Sequence, residues 1–124
     1  MNLIFYVFIG GGLGSICRYG ITKLWPLSQL HYGTLSANIV SCLILGFLIG
    51  MNAEGILKNE QRLLLMTGFC GGFSTFSTFS GELVQLYQGD QVMSTMFYLS
   101  MSIVAGVVSI LIGMFLSKFV TASI

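Results

Sequence analysis

Charge is what this chain has least of. Among 124 residues there are five Lys or Arg and four Asp or Glu, 7% of the total. A soluble domain covers its surface with about 25% charged residues, so a water-facing globule is excluded. Net charge is +1 with no basic cluster, which excludes nucleic acid as a partner. The single histidine, His31, falls in a short polar link without Cys, Asp or Glu at ligand spacing, so a side-chain metal centre is not expected. The three cysteines, Cys17, Cys42 and Cys70, are odd in number, lack CxxC spacing and lie in separate apolar runs. They read as small buried hydrophobes. The one proline, Pro26, supplies one built-in helix stop. No nucleophile–base pair or phosphate loop is present, so an enzyme is not expected.

What the chain does have is apolar length. Hydrophobic residues make up 55% of it, and mean hydropathy is +0.90. Continuous apolar runs of about 20 residues read as transmembrane helices, because lipid offers the main chain no hydrogen-bond partner outside a helix or closed barrel. The runs do not alternate, which excludes the barrel. The spans are expected at 3–24, 33–51, 63–87 and 92–119, making one all-α membrane domain over 1–124. The first run lacks a basic leader and an A-x-A cleavage site, so it reads as a retained helix.

Four spans put both termini on one side, where Lys58, Arg62 and Lys118 face Arg18 and Lys23 across the bilayer. Three against two is almost no orienting bias. The chain is therefore expected to insert both ways round and to form an antiparallel, dual-topology dimer. Gly10-x-x-x-Gly14, Gly46-x-x-x-Gly50 and Gly68-x-x-x-Gly72 mark close helix packing.

Polar residues inside the spans are few and aligned. Thr34, Asn38, Ser41 with Cys42, Gly46 and Gly50 share a face of the second span, and Tyr98, Ser102, Gly106, Ser109 and Gly113 share a face of the fourth. Asn38 either ties a neighbouring helix or donates to an anion. The fourth-span face is either a seam of small residues or a ladder of hydroxyl donors. The third span holds the most unusual string, Gly68-Phe69-Cys70-Gly71-Gly72-Phe73-Ser74-Thr75-Phe76-Ser77-Thr78-Phe79-Ser80. Phe69, Phe73, Phe76 and Phe79 are three or four apart and read as one aromatic face. Gly71-Gly72 predicts a break mid-membrane, which would free carbonyls able to hold a cation. Ring edges are electropositive, so phenylalanines among hydroxyls suit a small anion that must not be trapped by a full charge. Arg18 and Glu82 are either mouth charges or interfacial anchors.

With these residues in view, the chain resembles the Fluc (CrcB) family of fluoride channels over essentially its whole length. The match rests on Gly10-Gly11-Gly12-Leu13-Gly14-Ser15 with Arg18, on Gly33-Thr34-Leu35 with Asn38, and most specifically on Gly68-Phe69-Cys70-Gly71-Gly72 followed by Thr75-Phe76-Ser77-Thr78-Phe79. The resemblance implies an antiparallel homodimer with two fluoride pores and passive fluoride export against toxicity. It puts the pathway at Asn38, Phe76, Phe79, Ser77, Thr78, Tyr98 and Ser102. It implies a structural Na⁺ at the dimer centre, held by carbonyls of Gly71 and Ser74, and a glutamate of the family type at Glu82. Two departures stand out: Ser74-Thr75 replaces the usual Thr-Thr, and Gly106 stands where some relatives have a hydroxyl. Some relatives pair with a complementary subunit, but the full set of pore residues here favours self-pairing. The competing reading is a small proton-coupled multidrug exporter, which needs an embedded carboxylate; Glu82 is the only candidate.

Overall fold

The computed structural model describes residues 2–124, and every element in them is helical. Helix α1 spans Leu3–Thr22, opened by Asn2, whose side chain accepts from the N–H of Ile4 at 3.2 Å. It stops four residues ahead of Pro26. Pro26 caps a 3₁₀ turn, Leu27–Gln29, where its missing N–H is not needed. That turn runs directly into α2, Leu30–Ala53. The second helix therefore starts earlier than the expected residue 33, and His31 lies in its first turn instead of in a loop.

Helix α3 covers 59–73: an α-helical turn at Asn59–Arg62, a π-helical stretch at Leu63–Cys70 and a last turn at Gly71–Phe73. Helix α4 is Phe76–Gln88, and α5 is Val92–Ala122. Three helical stretches, Leu3–Thr22, Leu27–Ala53 and Val92–Ala122, are each long and apolar enough to cross a membrane unbroken. With α3 and α4 taken together, the described residues count four helices.

Between α3 and α4 the main chain is extended at Ser74 (φ −85°, ψ 156°) and Thr75 (φ −148°, ψ 123°). The sequence placed the interruption at Gly71-Gly72, yet Gly71 keeps helical angles of −64° and −36°. The reason is local. Gly72 gives up its side chain for contact, since a Cβ there would collide with the main chain of Gly11. Ser74 and Thr75 can bond their own neighbourhood instead: Ser74 Oγ donates to the Cys70 carbonyl at 2.9 Å, and Thr75 Oγ1 accepts from Thr78 N at 3.2 Å as the cap of α4.

Two close pairs of helices make the core. α1 lies on α3, where a Cβ at Gly10 would strike the carbonyl of Leu64 and one at Gly14 that of Phe69. α2 lies on α5 in the same manner, Gly46 against the Ile110 carbonyl, Gly113 against that of Leu43, and Gly50 against Ser117. Small residues thus replace apolar volume as the means of contact, as expected where lipid removes the hydrophobic drive between helices. Ser41 joins the pairs by donating to the Cys70 carbonyl at 3.1 Å. Cys70 is buried and Cys42 half-buried, but Cys17 is exposed on α1, so the uniform burial expected of the cysteines does not hold.

Candidate functional site

The site is built on the extended residues between α3 and α4. In an unbroken helix Thr75 N–H would bond the carbonyl of Gly71. Here it donates to Asn38 Oδ1 at 2.9 Å, while Asn38 Nδ2 donates to the Thr75 carbonyl at 3.3 Å. The α2 amide therefore pairs with Thr75 as a strand neighbour would, and the Gly71 carbonyl loses its helical donor. Main-chain groups freed inside a membrane protein need partners, and Asn38 supplies two. Of the alternatives open for Asn38, the tie between helices is realised in a single chain.

Beside this pair lies an open-sided cavity of about 290 Å³ lined by α2, α4, α5 and the extended residues. Its walls include Asn38, Ser74, Thr75, Phe76, Phe79 and Ser102, with Leu35, Cys42 and Gly106 completing the surface. No Asp, Glu, Lys, Arg or His lines it. The hydroxyl of Ser102 is fully buried and has no hydrogen-bond partner among the described residues. Gly106 leaves open the space next to Cys42, with Sγ 3.6 Å from where a Cβ would stand.

The aromatic residues do not form the single face that their spacing suggested. The extended pair divides them. Phe69 and Phe73 meet edge to face at 5.5 Å on α3, and Phe76 and Phe79 lie 6.1 Å apart on α4. Phe79 is buried and turns against Tyr98 at 5.1 Å, edge to face, whereas Phe76 is 79% exposed. Ser77 and Thr78 are exposed beside it, and so is Gly71 on α3. Ser77 Oγ comes within 3.4 Å of Thr75 Oγ1.

Tyr98 leads to a second polar group. Its hydroxyl donates to Glu82 Oε2 at 2.8 Å, and Thr34 Oγ1 donates to Glu82 Oε1 at 2.5 Å. Thr34 and Tyr98 are 2% and 3% exposed, so α2, α4 and α5 are joined through one carboxylate whose two oxygens are both engaged. Such bonds to an ionised acceptor are the strong kind.

Arg18 stands on the opposite side of Thr75. It shares a recess of about 190 Å³ with Ser15, Thr22, Thr34, Thr75 and Thr78, so Thr75 is a wall common to this recess and to the cavity with Ser102. The structure thus gathers Asn38, Phe76, Phe79, Ser102 and Ser74 at one cavity and Glu82 with Tyr98 next to it. Arg18 and Thr78 are set across Thr75. Two contributors were not singled out as site residues from the sequence. Thr75 was legible as a helix cap preceding Phe76, but its pairing with Asn38 depends on residues 37 apart. Thr34 lies one turn before Asn38, but nothing in the sequence names Glu82 as its partner.

Comparison with known proteins places this architecture. The family model described as CrcB-like protein, Camphor Resistance (CrcB), matches residues 5–114. A protein of Flavobacterium psychrophilum named fluoride-specific ion channel FluC is 35% identical over 122 residues, covering 95% of this chain and 98% of the relative. A protein of the same name from Bacteroides fragilis is 37% identical over 125 residues (95% and 98% covered), and one from Chlorobium phaeobacteroides is 41% identical over 118 (93% and 92%). Matched along nearly its whole length, the chain belongs to the CrcB family.

Proposed function

We propose that this protein is a fluoride-selective channel of the cell membrane that releases fluoride passively, and that it works as an antiparallel, dual-topology homodimer. The observation that carries the reading is the cavity between α2, α4 and α5: an amide, a buried hydroxyl without a protein partner and two phenyl rings, with no ionised group on its walls. The names of the relatives, fluoride-specific ion channel, support the same ion.

The chemistry suits a small hard anion. Such an ion crosses only if its water is replaced by other dipoles, and it leaves only if none of them holds it as a full positive charge would. Ser102 Oγ has a hydrogen free to donate. Asn38 Nδ2 has two N–H bonds and uses one on Thr75. The rims of Phe76 and Phe79 add weak positive potential. Ser77 and Thr78 continue the donors along the exposed side of α4, Tyr98 borders the path through its ring because its hydroxyl hydrogen is held by Glu82, and a narrow bore excludes chloride by size. Arg18 and Glu82 act at the mouths.

The dimer is supported by the near-balanced charges and by the surface that one chain leaves bare. Phe76 is 79% exposed, and Ser77, Thr78 and Gly71 lie open with it. In our reading α3 and α4 together are one membrane span, broken at mid-depth, and the bare face meets its equivalent on an oppositely inserted copy. The donor set there fits a structural Na⁺: a hard cation takes main-chain oxygens, and the Gly71 carbonyl has lost its helical donor to Asn38. The carbonyls of Gly71 and Ser74 from each copy would hold it, and its charge would offset carbonyl dipoles converging on the axis.

The proton-coupled exporter fits less well. Glu82 lies outside the cavity of Phe76 and Ser102, and both its oxygens accept hydrogen bonds from hydroxyls of neighbouring helices, whereas exchange of protons for cations needs a carboxylate free to trade its proton. Efflux from proteoliposomes tests the choice. Fluoride release without chloride release supports the channel, while proton-linked uptake of a lipophilic cation, lost in Glu82→Gln, supports the exporter.

A further inference from the structure

His31 stands where two spaces meet. One is a mostly apolar, half-open groove of about 350 Å³ between α2 and α5, which shares the Leu35 wall with the Ser102 cavity. The other is a polar recess of about 220 Å³ at the end of α4, lined by Glu82, Gln85 and Gln91. His31 lines both. The imidazole lies 4.2 Å from the Tyr32 ring and meets the Tyr98 ring edge to face at 5.5 Å. Tyr98 in turn donates to Glu82. The titratable groups facing His31 are therefore Tyr32 on its own helix, Glu82 on α4 and Tyr98 on α5. The 3₁₀ turn and the link into α5 contribute only the neutral Ser28 and Gln91.

We propose that His31 is a proton-sensitive control of anion passage at this mouth, raising flux in acid and lowering it in alkali. The inference rests on the channel reading above. Glu82 is the one carboxylate lining either space, and its negative charge opposes an anion at the mouth. Histidine is the side chain whose charge changes between about pH 5 and 8. When His31 is protonated, its charge cancels that of Glu82 and the local potential no longer repels the anion. When His31 is neutral, Glu82 acts alone. His31 and Glu82 line one recess, so their charges act on the same local potential, and such potentials change the rate at which an anion arrives. The sign suits the task, because acid surroundings convert fluoride to its neutral, membrane-permeant acid and so raise the load inside.

The test is fluoride efflux from proteoliposomes with equal pH on both sides, so that mixed orientation does not matter, at about pH 6 and about pH 8. Protein-free vesicles supply the background. The wild type should be at least about threefold faster at the lower pH. His31→Gln should be slow and His31→Lys fast, each nearly independent of pH, and either variant that conducts at all establishes that it has folded. Flux in His31→Gln with the same pH ratio as the wild type would overturn the proposal and leave the channel reading intact. Absence of wild-type fluoride flux at both pH values would overturn both.

Discussion

Asn38 and Thr75 hold each other by two hydrogen bonds, side-chain amide against main chain, at 2.9 and 3.3 Å. This pairing fixes the place where the helix running from residue 59 gives way to α4, and it sets the rim of the Ser102 cavity. Asn38→Leu leaves both Thr75 groups without partners, at about 1–3 kcal/mol for each. The expected outcome is a lower melting temperature in detergent and loss of at least about 90% of fluoride flux. Asn38→Asp keeps the acceptor, loses the donor and adds a negative charge, so it should retain more stability than Asn38→Leu but conduct no better. Circular dichroism melts with parallel efflux traces check the order.

Ser102 separates function from stability. Its hydroxyl is buried without a protein partner, an arrangement that costs folding free energy. Ser102→Ala should therefore be neutral or stabilising by up to about 1 kcal/mol while fluoride flux falls several-fold. A packing role alone would leave flux unchanged. Thermal unfolding and efflux measured on one preparation distinguish the two.

The sequence indicated the helical class, the three long apolar helices and the close-contact glycines, because apolar length and small-residue spacing are local properties. Gly10, Gly14 and Gly46 all lie at helix crossings in the structure. It misplaced the interruption because glycine has two uses. Gly72 serves contact with Gly11, while the actual departure from helix depends on Ser74 and Thr75 finding side-chain and main-chain partners. The aromatic stripe failed for the same reason, since a period of 3.6 has no meaning across two extended residues. Asn38, Phe79 and Ser102 were legible as polar or aromatic exceptions inside spans. Glu82 was legible as a candidate charge, but its pairing was not, because its donors Thr34 and Tyr98 lie 48 and 16 residues away in sequence.

The Glu82 junction predicts a graded series. Tyr98→Phe removes the donor to Oε2 and leaves the Thr34 bond in place, costing about 1.5–3 kcal/mol for a bond to a charged group. Thr34→Val with Tyr98→Phe should cost less than the sum of the single changes if one carboxylate couples them. A double-mutant cycle on melting temperatures measures the coupling, and additive effects would dissolve the network.

The glycines give a contrast between the inside of one chain and its bare face. Gly14→Leu drives a side chain into the Phe69 carbonyl and should abolish stable expression. Gly12→Ala, where a Cβ meets nothing within 4 Å, should be silent. Gly71 likewise meets nothing within 4 Å in one chain, yet the dimer reading puts it against a second copy. Gly71→Leu should therefore leave the helical fold intact and shift the protein from dimer to monomer in size-exclusion chromatography with light scattering. An unchanged dimer would remove Gly71 from the interface.

The central claim concerns selectivity, and liposome efflux with paired fluoride and chloride electrodes tests it most directly. Vesicles carrying the purified wild-type protein should release fluoride rapidly and hold chloride, and Phe76→Ile, which removes the most exposed ring from the cavity wall, should abolish the fluoride release. Chloride leaving as fast as fluoride, or undiminished fluoride release from Phe76→Ile, would contradict a path built from neutral dipoles and ring edges.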